Sequence, residues 1–208
     1  MQLRTKIWSE YMIQEVKTLN LPKIEKAVSD LLEGIGEDPQ REGLVETPKR
    51  VAKAYAEIFA GLNHQATDFT DYKIFHVDEE PEMVLVQKIP FYSVCEHHLL
   101  PFFGNVNVAY VPKDGKVIGI SKIPRLVDFV VKRPGMQEKV TTQISTELAN
   151  ILDPQGVAVT VSARHLCMEM RGINQSNLFT YTSKMTGVFK TDQALRANFF
   201  QQVGQQNA

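Results

Sequence analysis

The stretch that decides the fold is NVNVAYV, residues 105–111. Valine and tyrosine alternate there with asparagine and alanine, and this period of two predicts a strand with one buried face. Lys-Asp-Gly-Lys follows at 113–116 as a turn signal and leads into a further apolar run at 117–120. The period of two begins near residue 76 and recurs along the chain. The other strand candidates are residues 83–86, 157–161 and 178–189.

Amphipathic helices are expected around these strands, because apolar residues also recur at helical spacing. Two cover residues 24–35 and 47–62, where Thr47 is expected to be the N-cap and Pro48 the first helical residue. Two more, near 126–131 and 140–151, separate the strand hairpins. The tail after Phe200 is expected to be frayed.

This order of elements predicts an α+β fold in which an antiparallel sheet carries two helices on one face. We expect a helical N-terminal region over residues 1–75 and a sheet domain over residues 76–208. The second face of the sheet is expected to be apolar and to be hidden by oligomerisation.

The composition excludes several classes of function. The 208 residues carry a formal net charge of −1, so no global basic field points to nucleic acid or to an anionic membrane. Arg4, Lys6 and Glu10 interrupt the first twenty positions, which argues against a secretory signal. No apolar run approaches the length of a membrane span. Two cysteines make no disulfide framework, so a cytoplasmic location is expected.

Two short segments indicate a metal site. The first is Cys-Glu-His-His at 95–98, and the second is His-Leu-Cys at 165–167. Together they contain both cysteines and three of the five histidines of the chain. If residues 165–167 form a strand, His165 and Cys167 project from the same face. A buried thiol beside a core histidine would explain either segment alone, but not the pair, and thiolate with imidazole favours zinc.

The spacing leaves the ligand set open. The candidates are Cys95, one of His97 and His98, His165, and Cys167. Four ligands would make a closed, structural site, whereas three would leave a position for a water of lowered pKa. Histidines in excess of the ligands favour the second arrangement, because they can act as general acid and base.

Basic residues follow the first segment. Ser121, Lys122 and Arg125 fall where a helix is expected to begin, and free N–H groups there favour a phosphate. Glu138 lies at the start of the next helix, where a carboxylate is favourable without any ligand.

Seven groups of residues form a recognisable series along the chain. They are Glu37-Asp38-Pro39 with Arg41-Glu42-Gly43-Leu44, Thr47-Pro48 with Arg50-Val51-Ala52, Cys95-Glu96-His97-His98, Gly119-Ile120-Ser121-Lys122 with Arg125, Gln137-Glu138, His165-Leu166-Cys167, and Arg171-Gly172. In order and spacing, from about residue 22 to residue 200, this series resembles GTP cyclohydrolase I.

The resemblance implies the tunnelling fold and a homodecamer with its sites at subunit interfaces. It also implies conversion of GTP and water to dihydroneopterin triphosphate and formate, with Zn²⁺ activating water for attack on C8. The implied roles are as follows: Cys95, His98 and Cys167 are zinc ligands; His97 and His165 handle protons; Ser121 acts near the ribose; Lys122, Arg125 and Arg171 bind triphosphate; Gln137 and Glu138 bind substrate, with Glu138 reading guanine.

Some positions depart from the family pattern, and two other interpretations compete. Asn105, Asn107, Gln175 and Leu178 stand where many members have lysine, histidine, lysine and serine. The first is a nitrile reductase of the queuosine pathway, a class of enzyme that shares the implied fold but uses a nucleophilic cysteine and NADPH without zinc. A scaffold protein with a closed zinc site would use all four candidate ligands.

Overall fold

The computed structural model describes residues 19–63, Phe69 and residues 72–204. The chain divides into two compact units, one ending at residue 68 and the other beginning at Phe69. The expected boundary at residues 75/76 stays a prediction. The expectations for the first eighteen positions and for residues 205–208 lie outside the described residues. No helix in the described part of the chain is both long and apolar enough to cross a bilayer.

The first unit contains two helices, α1 (Leu21–Gly34) and α2 (Thr47–Ile58), and a 3₁₀ turn (Ala60–Asn63). The side chain of Asn20 caps α1 by accepting a hydrogen bond of 3.0 Å from the backbone N–H of Lys23. The expected cap of α2 is wrong by one residue: Thr47 is already the first helical residue, and Glu46 precedes it without a side-chain cap. Helix ends commonly shift by this much, because the capping groups compete locally.

The second unit contains seven strands: β1 (Ile74–His76), β2 (Val84–Cys95), β3 (Pro101–Val111), β4 (Lys116–Ile118), β5 (Pro134–Gly135), β6 (Gly156–His165) and β7 (Thr180–Met185). Five of them form a sheet of order β5-β2-β3-β6-β7. Strands β2, β3, β6 and β7 are antiparallel, and β5 adds two residues in parallel to the end of β2. A separate two-stranded sheet pairs β1 with β4.

Two helices cover one face of this sheet, as predicted. Helix α3 (Lys122–Val131) and helix α4 (Gln137–Leu152) lie between the β2–β3 hairpin and the β6–β7 hairpin in sequence. The main core lies between them and the sheet, and its members are fully or nearly buried. They include Val106, Val108 and Tyr110 from the stretch that predicted β3, with Leu126 of α3 and Ile144 of α4. The α+β architecture is therefore the one that the sequence predicts.

The other face of the sheet differs from the prediction that it is apolar. Its centre is polar, because Asn107 pairs in register with Thr160, and Thr160 with Ser183. The Asn107 side chain also donates to the Thr160 hydroxyl at 3.1 Å. The apolar end is already covered within the chain by a helix over residues 193–204, which the sequence pattern did not predict.

The prediction of a single strand over residues 178–189 is wrong. The strand there is only β7, which is followed by a short helix α6 (Val188–Thr191) and by α7 (Gln193–Gly204). Phe189 and Phe199 are fully buried and pack with Ala109 and Ala158 of the sheet. The chain therefore continues as helix from Phe200 to Gly204, where a frayed tail is predicted. Leu195, Phe199 and Val203, spaced by four, carry the signal for that helical face.

Candidate metal centre and flanking residues

The first half of the site is a tight turn that begins where β2 ends. The Cys95 backbone N–H donates to Leu100 O at 2.9 Å, and Cys95 O accepts from the Leu99 N–H at 2.9 Å. Leu99 has a positive φ of 53°, which closes the turn. The parallel pairing of Cys95 with Gly135 of β5 holds the turn from its other side. The Cys95 thiol is therefore buried and fixed, whereas His97 and His98 are exposed.

The second half of the site comes from a one-turn helix, α5 (Leu166–Glu169). His165 is the last residue of β6, and Cys167 lies inside α5. The expectation that these two side chains share one face of a strand is therefore wrong, because the strand ends between them. The helical turn instead brings Cys167 to the end of β2, which the β3–β6 pairing places nearby.

Cys95, His98 and Cys167 come together as a group of three possible metal ligands. One donor atom from each lies within 4.8 Å of the other two. A tetrahedral zinc ion with bonds of about 2.0–2.3 Å separates its ligand atoms by roughly 3.3–3.8 Å, so small side-chain adjustments would suffice. Two sulfur donors and one nitrogen donor are also the set that zinc prefers.

The electrostatics of the two thiols fit a cation. Burial raises the pKa of the Cys167 thiol above its ordinary value, and the neighbouring Cys95 raises it further. Two adjacent thiolates are thus unfavourable by themselves, and a bound dication would compensate for their charge. Both cysteines are free, so no disulfide competes for them.

His97 and His165 stand beside this group without belonging to it. His97 Nδ1 lies 3.7 Å from the Cys95 sulfur, on the same turn. The His165 ring stacks flat on the ring of Phe102, with centroids 4.8 Å apart and planes 2° apart. Phe102 is the residue directly opposite His165 in the β3–β6 register.

The Nε2 atom of His165 is hydrogen bonded to Oε1 of Gln137 at 2.8 Å. Gln137 is the first residue of α4 and is only 2% exposed. Burial lowers the pKa of His165, and the negative charge of Glu138 partly opposes this shift. Glu138 is exposed, and Gln137 and Glu138 thus both act on the same histidine from the first turn of α4.

The remaining predicted site residues are placed as follows. Nη1 of Arg171 lies 3.1 Å from His98 Nε2, so Arg171 does reach the metal group. Ser121 precedes α3, and Lys122 and Arg125 lie in its first turn, where the sequence predicts a phosphate site. Their grouping with the thiols stays a prediction, as do the substrate contacts of Gln137 and Glu138.

Sequence reasoning missed the residues that hold Gln137. Its side-chain nitrogen donates to Val161 O at 3.1 Å, to Thr180 O at 2.9 Å and to the Thr182 hydroxyl at 3.1 Å. These acceptors lie on β6 and around β7, far from Gln137 in sequence. It also missed the ion pair of Lys139 with Glu96, 3.0 Å long, which ties α4 to the 95–98 turn. No local sequence pattern predicts the Gln137 hydrogen bonds or this ion pair, because both depend on how α4 packs on the sheet.

Fold and site together define an α+β protein whose helix-backed antiparallel sheet carries a three-donor group suited to a metal ion. Comparison with known proteins then names the family. The family model for GTP cyclohydrolase I matches residues 24–204. The chain therefore belongs to the GTP cyclohydrolase I family of enzymes.

Two relatives are similar to this chain over most of its length. GTP cyclohydrolase 1 of Lactiplantibacillus plantarum is 55% identical over 184 residues, which cover 88% of this chain and 96% of that protein. GTP cyclohydrolase 1 of Bacillus subtilis is 48% identical over 192 residues, covering 92% of this chain and 100% of that protein.

A solved structure of archaeosine synthase QueF-Like, in the apo form, resembles part of the chain. It covers 52% of this chain and 97% of its own, with a TM-score of 0.43 and 21% identity. At this distance the likeness bears on neither the chemistry nor the site.

Proposed function

We propose that this protein is a zinc-dependent hydrolase that converts GTP and water to 7,8-dihydroneopterin triphosphate and formate. This reaction opens the imidazole ring of guanine and would feed the biosynthesis of reduced pterins such as folates. Family membership supports the use of GTP, and the Cys95–His98–Cys167 group supports the metal.

The observation that carries the proposal is that three donors converge while two further histidines stay outside the group. His165 is hydrogen bonded to Gln137, and His97, whose Nδ1 lies 3.7 Å from the Cys95 sulfur, is not among the three converging donors. A three-donor group fits a catalytic zinc ion, whereas a scaffold would close the site with a fourth protein ligand. When bound, zinc would act as a Lewis acid and lower the pKa of a coordinated water.

The protein's own side chains divide the remaining work. His165, half-buried and held by Gln137, is suited to exchange a proton with the guanine imidazole nitrogen. His97, exposed beside Cys95, is the second candidate for proton transfer. Ser121 is assigned to the ribose. Glu138 would accept the N1–H and 2-amino hydrogens of guanine, since an ionised carboxylate has acceptors for both.

The triphosphate would be bound by a local group of basic side chains, because the net charge of −1 gives the protein no overall positive potential. Lys122 and Arg125 lie at the N-terminal turn of α3, where backbone N–H groups add to their attraction. Arg171 would bring a further guanidinium next to His98. We assign these three residues to the phosphates.

We further propose that the protein works as a homodecamer with its sites at subunit interfaces. Among the described residues, strand β7 has a neighbour on one side only, and its Tyr181 is 71% exposed. The nearby loop exposes Ile173 and Phe179 as well, which favours burial against another copy. The two free thiols favour a reducing compartment, which we take to be the cytoplasm.

The proposed activity is tested by incubating the zinc-loaded protein with GTP and oxidising the products. A fluorescent pterin should appear with the wild type and should be absent with the Cys167→Ser variant, which lacks one thiolate. Absence of any pterin from fully zinc-loaded wild type would contradict the proposal.

A further inference from the structure

Both ends of the Gln137 side-chain amide are hydrogen bonded to protein groups. Its nitrogen has two hydrogens and faces three acceptors, of which Val161 O and Thr180 O are carbonyls. Carbonyl oxygens can only accept, so the amide nitrogen must face them. The flipped amide would set its oxygen against both carbonyls and leave a buried group unsatisfied. Which end of the Gln137 amide points to His165 is therefore determined by the sheet.

That orientation determines the state of His165. Oε1 of Gln137 is an acceptor, and it lies 2.8 Å from Nε2 of His165. Nε2 must therefore carry a hydrogen, and in the neutral imidazole Nδ1 is then unprotonated. The flat stacking on Phe102 fixes the plane of the same ring.

We propose that Gln137 is a positioning residue, which holds His165 in the Nε2–H form so that Nδ1 is the nitrogen that exchanges the proton with substrate. In this step the proton on Nδ1 of the imidazolium passes to the substrate nitrogen and leaves the neutral Nε2–H imidazole. Gln137 itself exchanges no proton. The inference rests on the proposed function for the identity of the proton acceptor, but the Gln137–His165 pairing does not.

A positioning role for Gln137 differs from the substrate-binding role that the family resemblance implies for it. The described contacts already use both ends of its amide, and its side chain is buried. A group of this kind changes the rate of proton transfer through the histidine that it orients, and it leaves the affinity for the substrate unchanged.

Substitution of Gln137 gives the kinetic test. Gln137→Met keeps the length of the side chain and removes both hydrogen-bonding ends. We expect kcat for GTP to fall by roughly 10- to 100-fold, the scale found for hydrogen-bond partners of histidines at metal sites, with KM and zinc content unchanged. In a His165→Ala background the same substitution should change kcat by less than about 2-fold, because its effect passes through His165.

Thr141→Val is the matched control. The Thr141 hydroxyl donates to the backbone oxygen of Gln137 at 2.8 Å, so its loss disturbs the same buried network and leaves the side-chain amide in place. We expect kcat to stay within about 3-fold of wild type. A rise in KM with kcat unchanged in Gln137→Met, or an equal loss with and without His165, would overturn the proposal.

A spectroscopic measurement tests the pairing without turnover. Solid-state NMR of the zinc-loaded full chain, labelled with ¹⁵N-histidine, should show a protonated Nε2 and an unprotonated Nδ1 for His165 above its pKa. Comparison with His165→Ala assigns the signals. The Nδ1–H form would overturn the proposal even if Gln137→Met failed to fold. The Nε2–H form in a protein that does not convert GTP would refute the proposed function and leave the pairing intact.

Discussion

The sulfur atoms of Cys95 and Cys167 lie within 4.8 Å of each other, although one ends strand β2 and the other lies in the one-turn helix α5. The β2–β3 and β3–β6 pairings bring these two chain segments to the same end of the sheet. His98, on the turn after Cys95, completes the group.

Removal of any one of these ligands should remove the metal. Cys95→Ser, Cys167→Ser and His98→Ala each leave two donors, which is too few for stable zinc binding at neutral pH. We expect less than about a tenth of the wild-type zinc per subunit by elemental analysis, and no turnover. Stoichiometric zinc in all three variants would refute the ligand assignment.

The two histidines outside the group should behave in the opposite way. His97→Ala and His165→Ala should keep zinc and bind GTP, and should lose turnover by about 100-fold or more, as expected for a lost general acid or base. Zinc content and equilibrium binding of GTP are measured on the same preparations. Loss of zinc from either variant would make that histidine a ligand and the site a closed one.

The sequence predicted the sheet and the metal group for different physical reasons. The alternation at 105–111 depends only on which residues face the core, so the β3 face was predictable. The clustering of cysteine and histidine at 95–98 and 165–167 indicated the site by chemistry alone. The ending of β6 at His165 was not predictable, because α5 is a single turn of four residues, too short for a helical period to show in the sequence.

The contacts of Gln137 and the helix that covers part of the second sheet face could not be predicted from the sequence either. Gln137 meets Val161 and Thr180 only after α4 packs across β6 and β7. Asn105 and Asn107 alternate with the core residues of β3 and so indicate a polar second face, which the prediction of an apolar face did not take into account. Phe199 fills the apolar end, because α7 returns to the sheet.

Guanine recognition by Glu138 can be tested with two nucleotides. Glu138→Gln replaces an acceptor-only carboxylate by an amide that can accept only one of the two guanine hydrogens. Hydrogen bonds to a charged group contribute about 1.5–3 kcal/mol each, so GTP binding should weaken by roughly 10-fold or more. ITP lacks the 2-amino group, so the preference for GTP over ITP should narrow. An unchanged preference would remove Glu138 from the site.

Assembly is expected to be large and ring-like. The exposed edge of β7 and the exposed Tyr181 and Phe179 are unfavourable on a monomer in water. Light scattering at micromolar concentration should therefore give a mass near ten times that of the 23.5 kDa chain. A monomer that turns over GTP at the full rate would contradict this prediction.

The central claim is that the enzyme opens the imidazole ring of GTP at C8. GTP labelled with ¹⁴C at C8 distinguishes this from every other hydrolysis of the nucleotide, because only C8 leaves as formate. With zinc-loaded wild type we expect all released label in formate, in a one-to-one ratio to the pterin formed, and none with Cys95→Ser. Label retained in the nucleotide while GTP is consumed, or a pterin formed without labelled formate, would contradict the account.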